Sequence, residues 1–387
     1  MDFDEVIDRR GTHCMKWDMM ERIYGVPSDS GIAMWVADMD FRPPDIARRA
    51  LQKLIDHGIY GYFGDDRDYR SAICRWMDSR HGWRVEPDWI FTAHGLVNGT
   101  ALCIDCFTSP GDGIVLFTPV YHAFARVINA AGRRIVECPL QIRNNRYEMN
   151  FAEYDRLMKG DEKMAILCSP HNPGGTVWTR EELQRLAKFC TRHDLLLVSD
   201  EIHHDLVLPG RAHTPMPIAD PSISNRLIMM TATTKSFNIA GAHCGNVIVQ
   251  DEELRKAFSR KIAALGISPN SFGIFLAEAL YSPEGAEWID AAVKYIERNC
   301  ALFDSCVNGI SGLNSMPLDA TYLAWVDFSG TGLPASEFTR RVEQDAKIAV
   351  NRGPTFGSGG ENFLRFNLAT PRSLVEEAID RIALAFR

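Results

Sequence analysis

At 387 residues the chain is long enough for more than one hydrophobic core, so two domains are the natural expectation. Its 42 Lys and Arg stand against 50 Asp and Glu, a formal net charge of −8 with no offsetting basic stretch, which argues against nucleic acid or an anionic membrane as the main partner. No apolar run approaches the about 20 residues of a membrane helix, charged residues from Asp2 to Arg10 occupy the place of a signal peptide's apolar segment, and ten cysteines without scaffold spacing suit a reducing compartment, so a cytoplasmic protein is expected.

In chain order, Gly95-Leu96-Val97-Asn98-Gly99 reads as the opening of a helix, whose bare first-turn amides and positive dipole end suit a phosphate. The following Cys103-Ile104-Asp105-Cys106 lies in an apolar helical stretch with no second pair to match it, so it reads as structure rather than a metal or redox site. Strand-like runs follow at 113–117, 134–137, 164–170, 195–201, 227–230 and 245–249, with helices between them. Thr179 and Glu182 form a capping box for a helix over 181–193. This alternation predicts an α/β fold with a mainly parallel sheet covered on both faces. Ser282-Pro283 then signals a helix start, with a long amphipathic helix over 288–303. Strands at 321–328 and 362–368 and a last helix capped by Ser373 and Glu376 suggest a smaller α/β lobe. The expected division is 1–45 as an N-terminal arm with part of the small domain, 46–281 as the large domain, and 282–387 as the C-terminal small domain.

Three of the apolar runs end in chemistry. Lys235 follows 227–230 through Thr231-Ala232-Thr233-Thr234; a lysine at the mouth of a buried strand, after three hydroxyls, can hold an aldehyde cofactor as a Schiff base while a hydroxyl binds its phosphate. Asp200 closes 195–201, placed to pair with a protonated pyridine nitrogen. Asn172 follows 164–170, able to donate its amide to a phenolate, with Pro173-Gly174-Gly175 letting backbone pass close. Singly, Lys235 reads as a strand-end surface lysine, Asp200 as a helix cap and Asn172 as a turn former. In this order, at the strand ends where open α/β sheets bind ligands, they predict a pyridoxal 5'-phosphate site. His203-His204 is an unpromising metal pair, since adjacent strand side chains face opposite ways. Arg365, between Leu364 and Phe366, is either an outward-facing strand arginine or a bidentate clamp for a carboxylate.

The chain resembles fold-type I pyridoxal phosphate enzymes, and within them the cystathionine β-lyase, or C-S lyase, group called the MalY/PatB family. The resemblance runs nearly end to end, through Arg9-Arg10-Gly11-Thr12, Trp35-Val36-Ala37-Asp38-Met39-Asp40-Phe41, Tyr60-Gly61-Tyr62, Pro170-His171-Asn172-Pro173, Asp200-Glu201-Ile202-His203, Thr321-Tyr322-Leu323-Ala324-Trp325 and Phe363-Leu364-Arg365-Phe366-Asn367. It implies that Tyr121 stacks on the pyridine, that Thr231 is the phosphate-binding hydroxyl, and that Arg365 binds the substrate α-carboxylate with Ala37 and Tyr60 nearby. It further implies a homodimer with shared sites, in which Tyr60 or Tyr62 reaches a neighbouring subunit's cofactor phosphate.

His203 separates this chain from many aminotransferases of the fold, which have tyrosine there, and matches the β-lyase group. His243 stands where an arginine phosphate ligand is common, which leaves the phosphate-binding set open. The expected function is therefore a carbon-sulfur β-lyase acting on an amino-acid thioether such as cystathionine. The alternatives are an aminotransferase on the same scaffold, since fold does not fix reaction, and a binding protein that has kept only the cofactor fold.

Overall fold

The computed structural model describes residues 1–387. Its main sheet has seven strands, in the spatial order Ile90–Ala93, Gly245–Ile248, Leu227–Thr231, Leu196–Asp200, Glu162–Cys168, Gly113–Leu116, Arg134–Glu137. All pairings are parallel except those of Gly245–Ile248, which runs antiparallel to both neighbours. Strands buried on both faces are apolar at consecutive positions, and alternate side chains here enter two separate cores. Ile114, Leu116, Met164, Ile166 and Val198 face one cluster, while Val115, Phe117, Ala165, Leu167 and Leu197 face the other. The fold is thus the expected mainly parallel α/β type.

The capping box at Thr179 is formed in full and starts the helix Arg180–Arg192. Ser282 accepts a hydrogen bond from Gly285 N at 3.3 Å and opens Pro283–Val307, a helix that begins at the Ser282-Pro283 signal and extends past the amphipathic stretch 288–303 at both ends. A four-stranded antiparallel sheet follows, ordered Asn314–Ser315, Leu323–Asp327, Phe363–Asn367, Asn351–Arg352. One correction concerns the last helix, Arg372–Ala385: Ser373 is inside it and makes no cap. Instead the Arg372 N–H donates to the Tyr295 hydroxyl at 2.7 Å, so a distant phenol does the work assigned to Ser373.

Alternation along Phe363–Asn367 divides its side chains. Leu364 and Phe366 enter the core shared with Phe303, while Phe363, Arg365 and Asn367 point the other way. Phe363 stacks on Trp325 with centroids 4.8 Å apart. Asn367 donates to the carbonyls of Val36 and Asp38 at 2.6 and 2.5 Å, drawing the N-terminal segment across this face. Lys16, fully buried, holds the same segment from behind through Asp40 at 2.7 Å and the Asp38 carbonyl at 3.1 Å. These bonds bring residues 35–41 from one end of the chain over the ends of the main sheet.

Candidate active site

Parallel registry sets the floor of the site. Cys168 pairs with Asp200 and Asp200 with Met230, so the segments carrying Asn172, Asp200 and Lys235 leave the sheet at one edge. There they line a cavity of about 800 Å³ together with Gly95, Leu96, Tyr121, His203, Ala37 and Arg365. Gly95 has φ +87°, a left-handed backbone that turns the chain from strand Ile90–Ala93 into helix Leu96–Phe107. The amides of Leu96, Val97 and Asn98 precede that helix's first bond, Gly99 N to Gly95 O at 3.0 Å, and remain available to an anion.

The charged groups are held in states that ask for partners. Asp200 is buried and accepts one hydrogen bond, from Ile202 N at 3.1 Å. Burial pushes its pKa up to about 7, with Glu201 adding to the rise and the Ile202 N–H opposing it. A cationic ring nitrogen is the partner that would restore it to the carboxylate. Lys235 donates to the Ala37 carbonyl at 2.5 Å, and burial brings its pKa down to about 8, so a free amine is accessible near neutrality. The Ala37 carbonyl also accepts from the Tyr322 hydroxyl at 3.0 Å. His203 is driven down to about 3 by burial and by Lys235 and Arg365, so it is neutral, and its Nδ1 has no partner.

Arg365 is 2% exposed yet faces no carboxylate. It donates to Asn172 Oδ1 at 2.8 Å, to the Trp35 carbonyl at 2.9 Å and to Asn351 Oδ1, while its Nε has no partner. A buried guanidinium surrounded by neutral acceptors carries an unmet demand for an anion. Because Asn172 spends its oxygen on Arg365, its amide N–H₂ is left to donate elsewhere. The surface-strand reading of Arg365 is excluded by its burial.

Two expectations fail on position. Thr231 does not reach the cavity: it lies inside the strand, fully buried, where its hydroxyl accepts from Asn246 Nδ2 at 3.0 Å. Thr234, beside Lys235, is the hydroxyl residue of that run on the cavity wall. Gly174 and Gly175 do not admit a ligand either. A Cβ on Gly174 would meet Tyr147 and one on Gly175 would meet Leu318, so these glycines serve packing within the protein. Tyr60 and Tyr62, expected at a neighbouring subunit's site, are exposed and stand apart from this chain's own cavity. His203 and His204 do diverge, though in a turn rather than a strand: His203 faces the cavity, while His204 stacks on His81 at 4.2 Å. Sequence reasoning missed Thr234, Asn351 and Tyr322. Of these, only Thr234 carried a signal, its place next to Lys235.

The donor set fits pyridoxal phosphate: unpaired helix amides for a phosphate, a half-buried Tyr121 ring, a buried carboxyl for the pyridine nitrogen and an amine for the aldehyde. Fold and site together define a fold-type I pyridoxal phosphate enzyme. A family model described as aminotransferase class I and II matches residues 34–382, and the chain belongs to that family. It is 36% identical over 388 residues to cystathionine beta-lyase PatB of Bacillus subtilis (strain 168), covering 100% of both chains. It is 28% identical to protein MalY of Escherichia coli (strain K12), covering 100% of this chain and 99% of that one. Among solved structures, cystalysin from Treponema denticola, which contains a pyridoxal 5'-phosphate cofactor, superposes with a TM-score of 0.95 at 32% identity, over 99% of this chain and 98% of that one.

Proposed function

We propose that this protein is a pyridoxal phosphate-dependent carbon-sulfur β-lyase that cleaves cystathionine or related L-cysteine S-conjugates to pyruvate, ammonia and a thiol. The observation that carries the reading is the meeting of the Lys235 amine, the buried Asp200 carboxyl and the anion-free Arg365 in one cavity. The choice of β-elimination among the reactions of this cofactor is supported by the end-to-end likeness to cystathionine beta-lyase PatB.

In this reading the amides at Leu96 to Asn98 and the Thr234 hydroxyl would hold the phosphate, Tyr121 and His203 would offer apolar and neutral contacts to the ring, Asn172 would donate to the phenolate oxygen, and Asp200 would pair with the ring nitrogen. The bound group supplies an electron sink for the pair left when Cα loses its proton. Arg365 holds the substrate α-carboxylate and so orients Cα towards Lys235. The Lys235 amine, with a pKa near 8, takes the Cα proton. The Cβ–S bond then breaks with its electron pair leaving on sulfur, which collects a proton as the thiol. Addition of one water overall gives pyruvate and ammonia.

Arg365→Ala is expected to raise the KM for α-carboxylate substrates by about 10- to 100-fold, the loss of a charged hydrogen bond of ~1.5–3 kcal/mol. Steady-state kinetics check this; an unchanged KM would assign Arg365 to structure. Elimination and transamination are separated by a time course with L-cystathionine and no keto acid. The β-lyase releases pyruvate, ammonia and homocysteine equally over many turnovers. A single equivalent of product, with turnover resuming only when a keto acid is added, would establish the aminotransferase instead.

The exposed apolar residues Ile55, Ile59, Tyr60 and Tyr62, with Phe272 against Tyr60 at 5.6 Å, support a homodimer in which a second copy covers them and Tyr60 and Tyr62 reach its partner's site. The division at 45 and 281 and a cytoplasmic location complete the reading. No helix is long and apolar enough to cross a membrane.

A further inference from the structure

The cavity holds more positive charge than the reaction above uses. Its only acidic wall residue is Asp200, against Lys235, Arg365 and Arg126, in a chain whose net charge is −8. In the proposed reaction Asp200 is matched by the ring nitrogen, Arg365 by the α-carboxylate, and the phosphate by the helix amides at Leu96 to Asn98. Arg126 is left over.

Its placement is specific. Arg126 and His122 lie one turn apart on the helix His122–Ala130, so their side chains share a face, and both line the cavity. Arg126 is exposed at the outer side and takes part in no ion pair or hydrogen bond with the protein. His122 Nδ1 is buried without a partner. The imidazole packs edge-on against Tyr121, centroids 4.9 Å apart, and against Phe356 at 5.8 Å, so it sits directly beside the Tyr121 ring on the cavity wall. Burial, with the fields of Arg365 and Arg126 adding to it, lowers the His122 pKa to about 4 and keeps it neutral at pH 7. The wall thus combines a buried Arg365, the adjacent half-buried Tyr121 and His122, and an exposed Arg126 one helical turn further on.

We propose that His122 and Arg126 form a subsite for a carboxylate on the far side of the substrate's sulfur, so that the preferred S-conjugates are thioethers ending in an anionic group. The inference rests on the β-lyase reading of the same cavity. With the α-carboxylate on Arg365 and Cα at Lys235, the sulfur substituent is the part free to extend towards the mouth. A distal carboxylate there would pair with Arg126 and accept a hydrogen bond from the neutral His122 ring. A rival role for Arg126 is the cofactor phosphate, since His243 stands where related enzymes often place an arginine.

The test uses the holoenzyme and two matched thioethers, S-(2-carboxyethyl)-L-cysteine and S-propyl-L-cysteine, which differ in the charged end. Dissociation constants come from titration of the cofactor absorbance and kcat/KM from thiol release. The wild type should favour the carboxylate-ended compound about tenfold or more, the weight of one charged hydrogen bond. Arg126→Ala should bring that ratio close to one, and Arg126→Lys should keep part of it. A ratio near one in the wild type, or one unchanged by Arg126→Ala, would overturn the subsite. So would a variant that loses only affinity for pyridoxal phosphate, which would assign Arg126 to the phosphate. If neither thioether is cleaved but the binding ratio and its loss are found, the subsite stands and the β-lyase reading fails.

Discussion

Lys235→Ala is expected to remove turnover, lowering kcat by at least about a thousandfold, because the same amine attaches the cofactor and moves the Cα proton. Both roles follow from one position. The strand Leu227–Thr231 leads into the short helix Thr233–Ser236, which turns Lys235 into the cavity and onto the Ala37 carbonyl, where burial lowers its pKa to about 8. The variant should still fold, since the amine's hydrogen bond in the structure is to one carbonyl that Tyr322 also serves. Purified wild type should be yellow and the variant should lack the long-wavelength band. Retention of turnover within tenfold of wild type would move the proton transfer to another residue.

Asp200→Asn has the second-largest expected effect, and it should act in opposite directions on activity and on the stability of the cofactor-free protein. A neutral amide does not keep the pyridine nitrogen protonated, so turnover should fall by about a hundredfold or more while the cofactor is retained. Stability follows the raised pKa. A carboxyl whose folded value lies near 7, against about 3.9 for an ordinary aspartate, favours folding while protonated; that contribution is complete below about pH 4 and is lost as pH rises through 7. The gap of about three pH units corresponds to ~4 kcal/mol at pH 8. Thermal unfolding of cofactor-free protein should therefore show wild type falling in Tm between pH 5 and 8 and Asp200→Asn falling less. Parallel pH profiles for the two would show that Asp200 ionises freely in the fold.

Much of this site was legible in the sequence because its carriers are strands buried on both faces. Such strands are unbroken apolar runs, and the polar residue that ends each one stands out, as Asn172, Asp200 and Lys235 do. What was not legible depends on distant parts of the chain. Thr231 and Thr234 are both hydroxyls near Lys235. Only the antiparallel pairing of Asn246 with Thr231 shows that the first is consumed inside the sheet. Asn351 belongs to a two-residue strand too short to show any period, and it meets Arg365 across the small sheet. The Ser373 cap failed for a similar reason, since Tyr295 reaches Arg372 from another helix. Arg365 looked ambiguous in an apolar stretch, and its burial beside neutral oxygens alone turns it into a site for an anion.

The most direct measurement is borohydride reduction of the yellow holoenzyme followed by peptide mapping. Reduction fixes pyridoxal phosphate to the lysine that holds it, and the site described here requires that label on the peptide containing Lys235, at one equivalent per chain. Label on any other lysine, or none, would contradict it.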